Sequence, residues 1–202
     1  MQWIIMRHAA TDANHGHIIQ GRRDVSLSET GRRQVAVLSE SLTFVPSPDT
    51  LLCSPLQRAI ETAKPLSERF AIPIQIDERL IEWSLGEAEG DTLEGYLHKN
   101  PDFKIRWDDM SFRYPGGESK QELANRAKYF VSDLRNSQCQ SPLIIGHQAI
   151  LNFVISFALN LPESAGMPFR LGNCGYAIVK PGLPYGRLVS FTGDPDLPWD
   201  PQ

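Results

Sequence analysis

Arg7-His8 and His147 each stand directly after, or at the end of, a short, branched, apolar run: Trp3-Ile4-Ile5-Met6 in the first case, Leu143-Ile144-Ile145-Gly146 in the second. Such runs predict strands buried on both faces. A buried strand that stops at an ionisable residue delivers it to the crevice at the carboxyl edge of a sheet, where open α/β sheets bind ligands. A third run, Asp49 to Cys53, leads into Ser54-Pro55-Leu56-Gln57-Arg58 and puts Arg58 in the first turn of the following helix. Parallel strands bring their ends to one edge, so four nitrogen-bearing side chains can converge there. Arginine forks match phosphate oxygens bidentately, and helix N-termini at that edge add free N–H groups. The chemistry this set points to is the binding of a phosphoryl group. Arg58 carries a hint of its own: cations are disfavoured at a helix N-terminus, and a bound anion compensates the misplacement.

The elements that must position these residues alternate. Strands are predicted over residues 2–7, 49–53, 72–76 and 143–146, and two more over 176–179 and 187–191, joined by a Pro/Gly turn. A helix begins behind the cap Ser28 and runs to about Leu42, with Val35, Leu38 and Leu42 on one face. The next has Ser54 as cap and Pro55 at its first position, with Leu56, Ala59, Ile60 and Ala63 facing inward; Pro65 is expected to kink or split it. Ser119-Lys120-Gln121-Glu122 fits a capping box and opens a helix with Leu123, Ala127, Phe130 and Leu134 on one face. Residues 149–159 form an apolar helix. Core packing accounts for it, so no subunit interface is read from it. Residues 82–117 are less regular and are expected to form an insertion with one or two short helices over the active-site edge. The end, from Thr192 to Gln202, is expected to be an irregular tail. This order predicts a three-layer α/β/α sandwich with a mostly parallel central sheet, in a single domain spanning 1–202.

Composition narrows the partners. The chain has 202 residues, 41% hydrophobic and 22% charged, with net charge −4, which argues against nucleic acid as a general partner. Three cysteines without paired spacing point to a reducing, cytoplasmic compartment. The apolar start is too short for a signal peptide and lacks its basic region, and no run reaches the length of a membrane span.

With those residues in view, the chain resembles the phosphoglycerate-mutase-like branch of the histidine phosphatase superfamily. Arg7-His8-Ala9-Ala10-Thr11 resembles the family's Arg-His-Gly-x-Thr signature. Asn14, Gln20-Gly21, Asp24, Leu27, Gly31 and Gln34 follow at family spacing. Ser54 to Ala63 resembles the second signature, and Leu80-Ile81-Glu82 with Gly86 and Glu89-Gly90 resembles the acid segment. Pro115-Gly116-Gly117-Glu118-Ser119 and Gly146-His147 complete an ordered set covering nearly the whole chain.

The resemblance implies a metal-independent phosphoric monoester hydrolase that needs no cofactor and acts on a small-molecule phosphate ester. His8 is the implied nucleophile, forming a phosphohistidine. It must be neutral to attack, and Arg7 and Arg58 should depress its pKa. Arg7, Arg58 and His147 would hold the phosphoryl oxygens, Asn14 would donate one more hydrogen bond, and Gln20-Gly21 would line the substrate site. Glu82 would protonate the leaving oxygen and then activate water; an anionic phosphate beside it favours the protonated form such a role needs. His15 and His17 read as loop residues and not as metal ligands.

Two positions depart from the family. Ala9 stands where glycine is usual; if a positive φ is required there, alanine costs on the order of 1 kcal/mol. Otherwise its methyl could narrow the pocket. Gln148 also replaces a usual glycine, and its amide could face the substrate. Specificity is expected around Gln20-Arg22-Arg23 and in the segment from Thr92 to Tyr114. The cations of that segment (Lys99, Lys104, Arg106, Arg113) could read a second acidic group or form a solvated lid surface. Two alternatives stay open. One is a phosphoglycerate-type mutase, disfavoured because residues 91–114 do not resemble the mutases' basic segment. The other is a non-catalytic phospho-ligand binder of the same fold, for which Ala9 and Gln148 are the support.

Overall fold

A computed structural model describes residues 1–43 and 46–192. Beyond Thr192, the expected C-terminal tail lies outside the described residues.

Six strands form one sheet in the order β3-β2-β4-β1-β5-β6. They are β1 (Trp3–Arg7), β2 (Thr50–Cys53), β3 (Ile74–Ile76), β4 (Pro142–Gly146), β5 (Tyr176–Lys180) and β6 (Arg187–Phe191). β3, β2, β4 and β1 run parallel, whereas β5 is antiparallel to both of its neighbours. The sheet is therefore mostly parallel, as its sequence pattern predicts. Side chains of β1 alternate between faces: Trp3 and Ile5 enter one core, Ile4 and Met6 the other. A strand covered on both sides must be apolar throughout, which explains the uninterrupted run.

The covering helices complete three layers. On one side lie α2 (Glu29–Ser41) and α3 (Gln57–Phe70); on the other, α5 (Lys120–Asn136) packs against α6 (Gln148–Ala158). Ser28 caps α2 through the Gly31 amide, and Ser119 with Glu122 closes a capping box on α5. α6 is buried over nearly its whole length, consistent with a helix apolar on every side. The insertion carries one short α-helix, α4 (Leu93–Lys99), and a single 3-10 turn at Gly86–Ala88. A four-residue helix, α1 (Asp12–His15), interrupts the loop expected between β1 and α2.

Two local expectations are corrected. α3 begins at Gln57, not at Pro55; its N-cap is Leu56, with no side-chain cap bond. Ser54 stands two residues before that N-cap, where its hydroxyl oxygen accepts from the Leu56 amide (3.3 Å) and also faces His147 Nε2 (2.7 Å). Pro65 does not split α3, which is continuous from Gln57 to Phe70.

The register brings the chemistry to one edge. Arg7 pairs with Gly146 and Cys53 with Ile145, so β1, β2 and β4 end level with one another. The next residues are His8, Ser54 and His147. The amide of His8 continues the ladder to the Gly146 carbonyl (3.0 Å), and that of Ser54 to the Ile145 carbonyl (3.0 Å).

Candidate active site

A cavity of about 900 Å³ opens at this edge, and its lining includes Arg7, His8, Asn14, Gln20, Arg58 and Glu82. His8 is 3% exposed. Its Nδ1 lies 2.7 Å from the Ala9 carbonyl oxygen. A carbonyl only accepts, so Nδ1 carries the proton and Nε2 is left with its lone pair. Burial, then the charges of Arg7 and Arg58, hold the His8 pKa well below the usual histidine value, against a smaller opposing effect of the Ala9 carbonyl. The ring is neutral at pH 7, as a nitrogen nucleophile must be.

Arg58 is 1% exposed, and three protein groups aim it. Nη1 donates to the Arg23 carbonyl (2.7 Å), Nη2 to the Gly21 carbonyl (2.8 Å) and Nε to His147 Nδ1 (3.2 Å). Each Nη retains a second N–H for a ligand. Gly21 has φ +50°, and a Cβ there would sit 2.1 Å from Glu89 Oε1, so a side chain at this position would be strained and would displace the Glu89 carboxylate.

His147 stands behind the cavity wall and not on it. It is fully buried and accepts from Arg58 at Nδ1, so Nε2 bears its proton and donates to Ser54 Oγ at 2.7 Å. Both ring nitrogens are thus engaged, and its pKa is held well below the ordinary value by burial first and by Arg58 next. In this geometry His147 orients Arg58. The two histidine rings lie 5.1 Å apart, centroid to centroid.

Arg7 Nη1 donates to the Leu171 carbonyl at 2.8 Å. Asn14 turns its Oδ1 to the Thr11 amide (3.0 Å) and hydroxyl (2.9 Å), which leaves the donor end of its amide for a ligand. The side-chain oxygen of Gln20 also lies 3.0 Å from Thr11 Oγ1, sharing that hydroxyl with Asn14. Glu82 reaches α6 from outside: its carboxylate accepts from the amides of Ala149 (3.2 Å) and Ile150 (3.3 Å), and from its own neighbour Trp83 (2.9 Å). α6 has no side-chain cap of its own at His147, so Glu82 supplies the acceptor that the helix terminus lacks. The Glu82 backbone carbonyl is in turn held by Arg126 (3.0 Å) and Arg22 (3.1 Å).

The two departures from the family pattern are accounted for. Ala9 is not among the residues with positive φ, so no strain attaches to its methyl. It packs with Leu27, Val35 and Cys174 and does not line the cavity. Gln148 lines the cavity, and its amide is tied to the neighbouring chain: Nε2 donates to the Phe169 carbonyl (2.7 Å) and Oε1 accepts from the Leu171 amide (3.0 Å). Asn152, one turn on, accepts from the Phe169 amide (2.7 Å) and donates to its carbonyl. These two amides bolt residues 169–171 to α6, and the same segment presents the carbonyl that holds Arg7.

The expected cations of the insertion do not line the cavity. Lys99 pairs with Asp91 (2.5 Å), Arg106 with Asp109 (2.9 Å) and Arg113 with Glu122 (3.4 Å). The insertion instead contributes apolar and aromatic wall, including Leu93, Leu97, Ile105, Trp107 and Tyr114. Residues that sequence reasoning missed are Ser54 as the partner of His147, Thr62, whose hydroxyl receives the Ala9 amide at 3.0 Å, the Gln148–Asn152 pair, and Lys120 and Arg170 on the cavity wall. The only signal for the pair was two amides one turn apart on an otherwise apolar helix.

Comparison with known proteins agrees with this geometry. The profile of the histidine phosphatase superfamily (branch 1) matches residues 3–192. A glucosyl-3-phosphoglycerate phosphatase of Mycobacterium tuberculosis is 35% identical over 184 residues, 86% of this chain and 81% of that one. An adenosylcobalamin/alpha-ribazole phosphatase of Salmonella typhimurium is 31% identical over 172 residues, 84% of each. The structure of a mycobacterial glucosyl-3-phosphoglycerate phosphatase complexed with VO3 superposes with a TM-score of 0.84 at 27% identity, covering 96% of this chain and 99% of that one.

Proposed function

The chain belongs to the histidine phosphatase superfamily, and on that premise we propose that it hydrolyses the phosphate monoester of a small metabolite through a phosphohistidine on His8. The observation that carries the reading is the state of that ring. Its Nδ1–H is fixed on the Ala9 carbonyl, its charge is suppressed by burial and then by two arginines, and its bare Nε2 is the nitrogen left to react.

The His8 Nε2 lone pair attacks phosphorus as the ester P–O bond breaks, and the leaving oxygen takes the proton of the Glu82 carboxyl. Arg7, Arg58 and Asn14 bind the non-bridging oxygens, whose charge grows in the transition state. Their aim is set beforehand by the Leu171, Gly21 and Arg23 carbonyls and by Thr11. In the second half, the Glu82 carboxylate accepts a proton from water, the water oxygen attacks phosphorus, and the N–P bond breaks with its electron pair returning to Nε2. The products are an alcohol, inorganic phosphate and the starting enzyme. His147 serves as a positioning residue through Arg58.

The relatives' substrates support a phosphorylated small molecule: they are named for glucosyl-3-phosphoglycerate and for alpha-ribazole phosphate chemistry. Release of inorganic phosphate from p-nitrophenyl phosphate and from a panel of phosphorylated metabolites tests the reading. His8→Ala is expected to abolish turnover; activity that survives it overturns the nucleophile. Efficient isomerisation of 3-phosphoglycerate, primed by 2,3-bisphosphoglycerate and without phosphate release, would establish a mutase instead.

A further inference from the structure

Besides the residues gathered around His8, the cavity of about 900 Å³ is lined by an apolar set: Ile18, Leu93, Leu97, Ile105 and Trp107. One side chain in this region is out of keeping. Lys120 lines the cavity yet is only 2% exposed, so its ammonium is almost wholly withdrawn from water. An ammonium has three N–H donors. Among the described residues, its side-chain hydrogen bond goes to a neutral acceptor, the Trp107 carbonyl. No carboxylate of the described residues forms an ion pair with it. Asp108 and Asp109 act on it from a distance, and Asp109 is already engaged by Ser111 (2.6 and 2.8 Å) and Arg106 (2.9 Å).

The position is unfavourable in a second respect. Lys120 is the first residue of α5, directly behind the Ser119 cap, where the helix dipole disfavours a cation. Burial draws its pKa below the ordinary lysine value. A desolvated charge with one neutral partner is costly, and an apolar side chain of similar volume would line this wall without that cost. An anion in the cavity removes both penalties.

We propose that Lys120 is a specificity-determining residue that reads a second anionic group, a carboxylate or a second phosphate, on the alcohol part of the substrate. The assignment rests on the phosphatase reading above. It makes the substrate an ester with two anionic ends: one held by Arg7 and Arg58 at His8, the other carried past the apolar wall to Lys120. It also moves the recognition of acidity from the exposed, carboxylate-paired cations of the insertion to an enclosed one.

Three matched substrate pairs test it: 3-phosphoglycerate against glycerol 3-phosphate, 4-carboxyphenyl phosphate against its methyl ester, and fructose 1,6-bisphosphate against fructose 6-phosphate. Within at least one pair the wild-type protein is expected to favour the doubly anionic member at least tenfold in kcat/KM. Lys120→Met should erase that preference, mainly through KM, with a loss at least tenfold larger on the preferred ester than on p-nitrophenyl phosphate. Lys120→Arg should retain part of the preference. Absence of any preference in the wild type overturns the proposal. So does a Lys120→Met variant that loses equally on both members, which would make the lysine an anchor for Trp107 alone. Should Lys120→Met fail to fold, the wild-type preference and Lys120→Arg decide the matter. Failure of the wild type to hydrolyse p-nitrophenyl phosphate or any of the six esters would overturn the phosphatase reading itself.

Discussion

Ser54 accepts from the Leu56 amide at the entry to α3 and also faces His147, and substitution separates the two roles. Ser54→Ala removes the acceptor that lies 2.7 Å from His147 Nε2 in a fully buried setting. The imidazole cannot recover by switching tautomer, because Nδ1–H would then confront the Arg58 Nε–H at 3.2 Å. A buried donor left unsatisfied costs about 1–3 kcal/mol. For a chain of this size each kcal/mol lowers Tm by roughly 2–4 °C, so Tm should fall by roughly 2–12 °C. If about 1.4 kcal/mol of that penalty reappears as misaimed Arg58 in the transition state, kcat/KM falls about tenfold. Ser54→Asp sharpens the contrast. A helix cap tolerates aspartate as well as serine. A carboxylate against Nε2 would instead draw a proton onto His147 and set its Nδ1–H against Arg58, so Ser54→Asp should lose more activity than Ser54→Ala. Calorimetry and p-nitrophenyl phosphate kinetics on the two variants suffice. A Ser54→Ala protein with Tm within about 1 °C of wild type and kcat/KM within about twofold, or a fully active Ser54→Asp protein, would refute the reasoning.

The histidine pair also predicts how stability depends on pH. Both folded pKa values lie well below the unfolded value near 6.5, so below that pH the unfolded chain binds protons that the native state refuses. Stability should be level above about pH 7.5 and fall as pH drops through 6.5, approaching roughly 1.4 kcal/mol per pH unit for each histidine. Denaturant titrations at pH 7.5, 6.5 and 5.5 check this; equal stability at all three would contradict it. Ala9→Gly restores the residue usual in the family, yet the methyl lies in the Leu27–Val35 cluster and strains nothing. The variant should therefore lose about 1 kcal/mol of stability without gaining activity. A several-fold rise in kcat/KM would show that the methyl obstructs the site after all.

Much of the architecture was legible because it depends on local pattern. β1 and β4 declare themselves as uninterrupted branched apolar runs, and a strand covered on both faces has no other way to be written. The Ser28 and Ser119 caps sit where serine precedes helical periodicity, and both hold in the structure. The Ser54-Pro55 pair carries the same local signal, but α3 starts two residues later than it suggests, and the second partner of the serine, His147, is 93 residues away. The cations from Lys99 to Arg113 were equally visible as charges. That each faces a carboxylate or lies off the cavity follows from how the insertion folds onto α5.

The ordered motifs supplied Glu82 and the family by resemblance, and the sequence by itself determined which elements form and that Arg7, His8, Arg58 and His147 sit in the segments that meet at one sheet edge. Residue type and short-range periodicity suffice for those, since strand burial and helix propagation are set within a few residues. Tertiary structure alone decided the proton on each imidazole, the tethering of Gln148 to residues 169–171, the harmless φ of Ala9 and the enclosure of Lys120. Each of these depends on a partner that chain folding brings from far along the sequence. Hydrogen-bond direction and desolvation belong to the partners together, and no residue carries them alone.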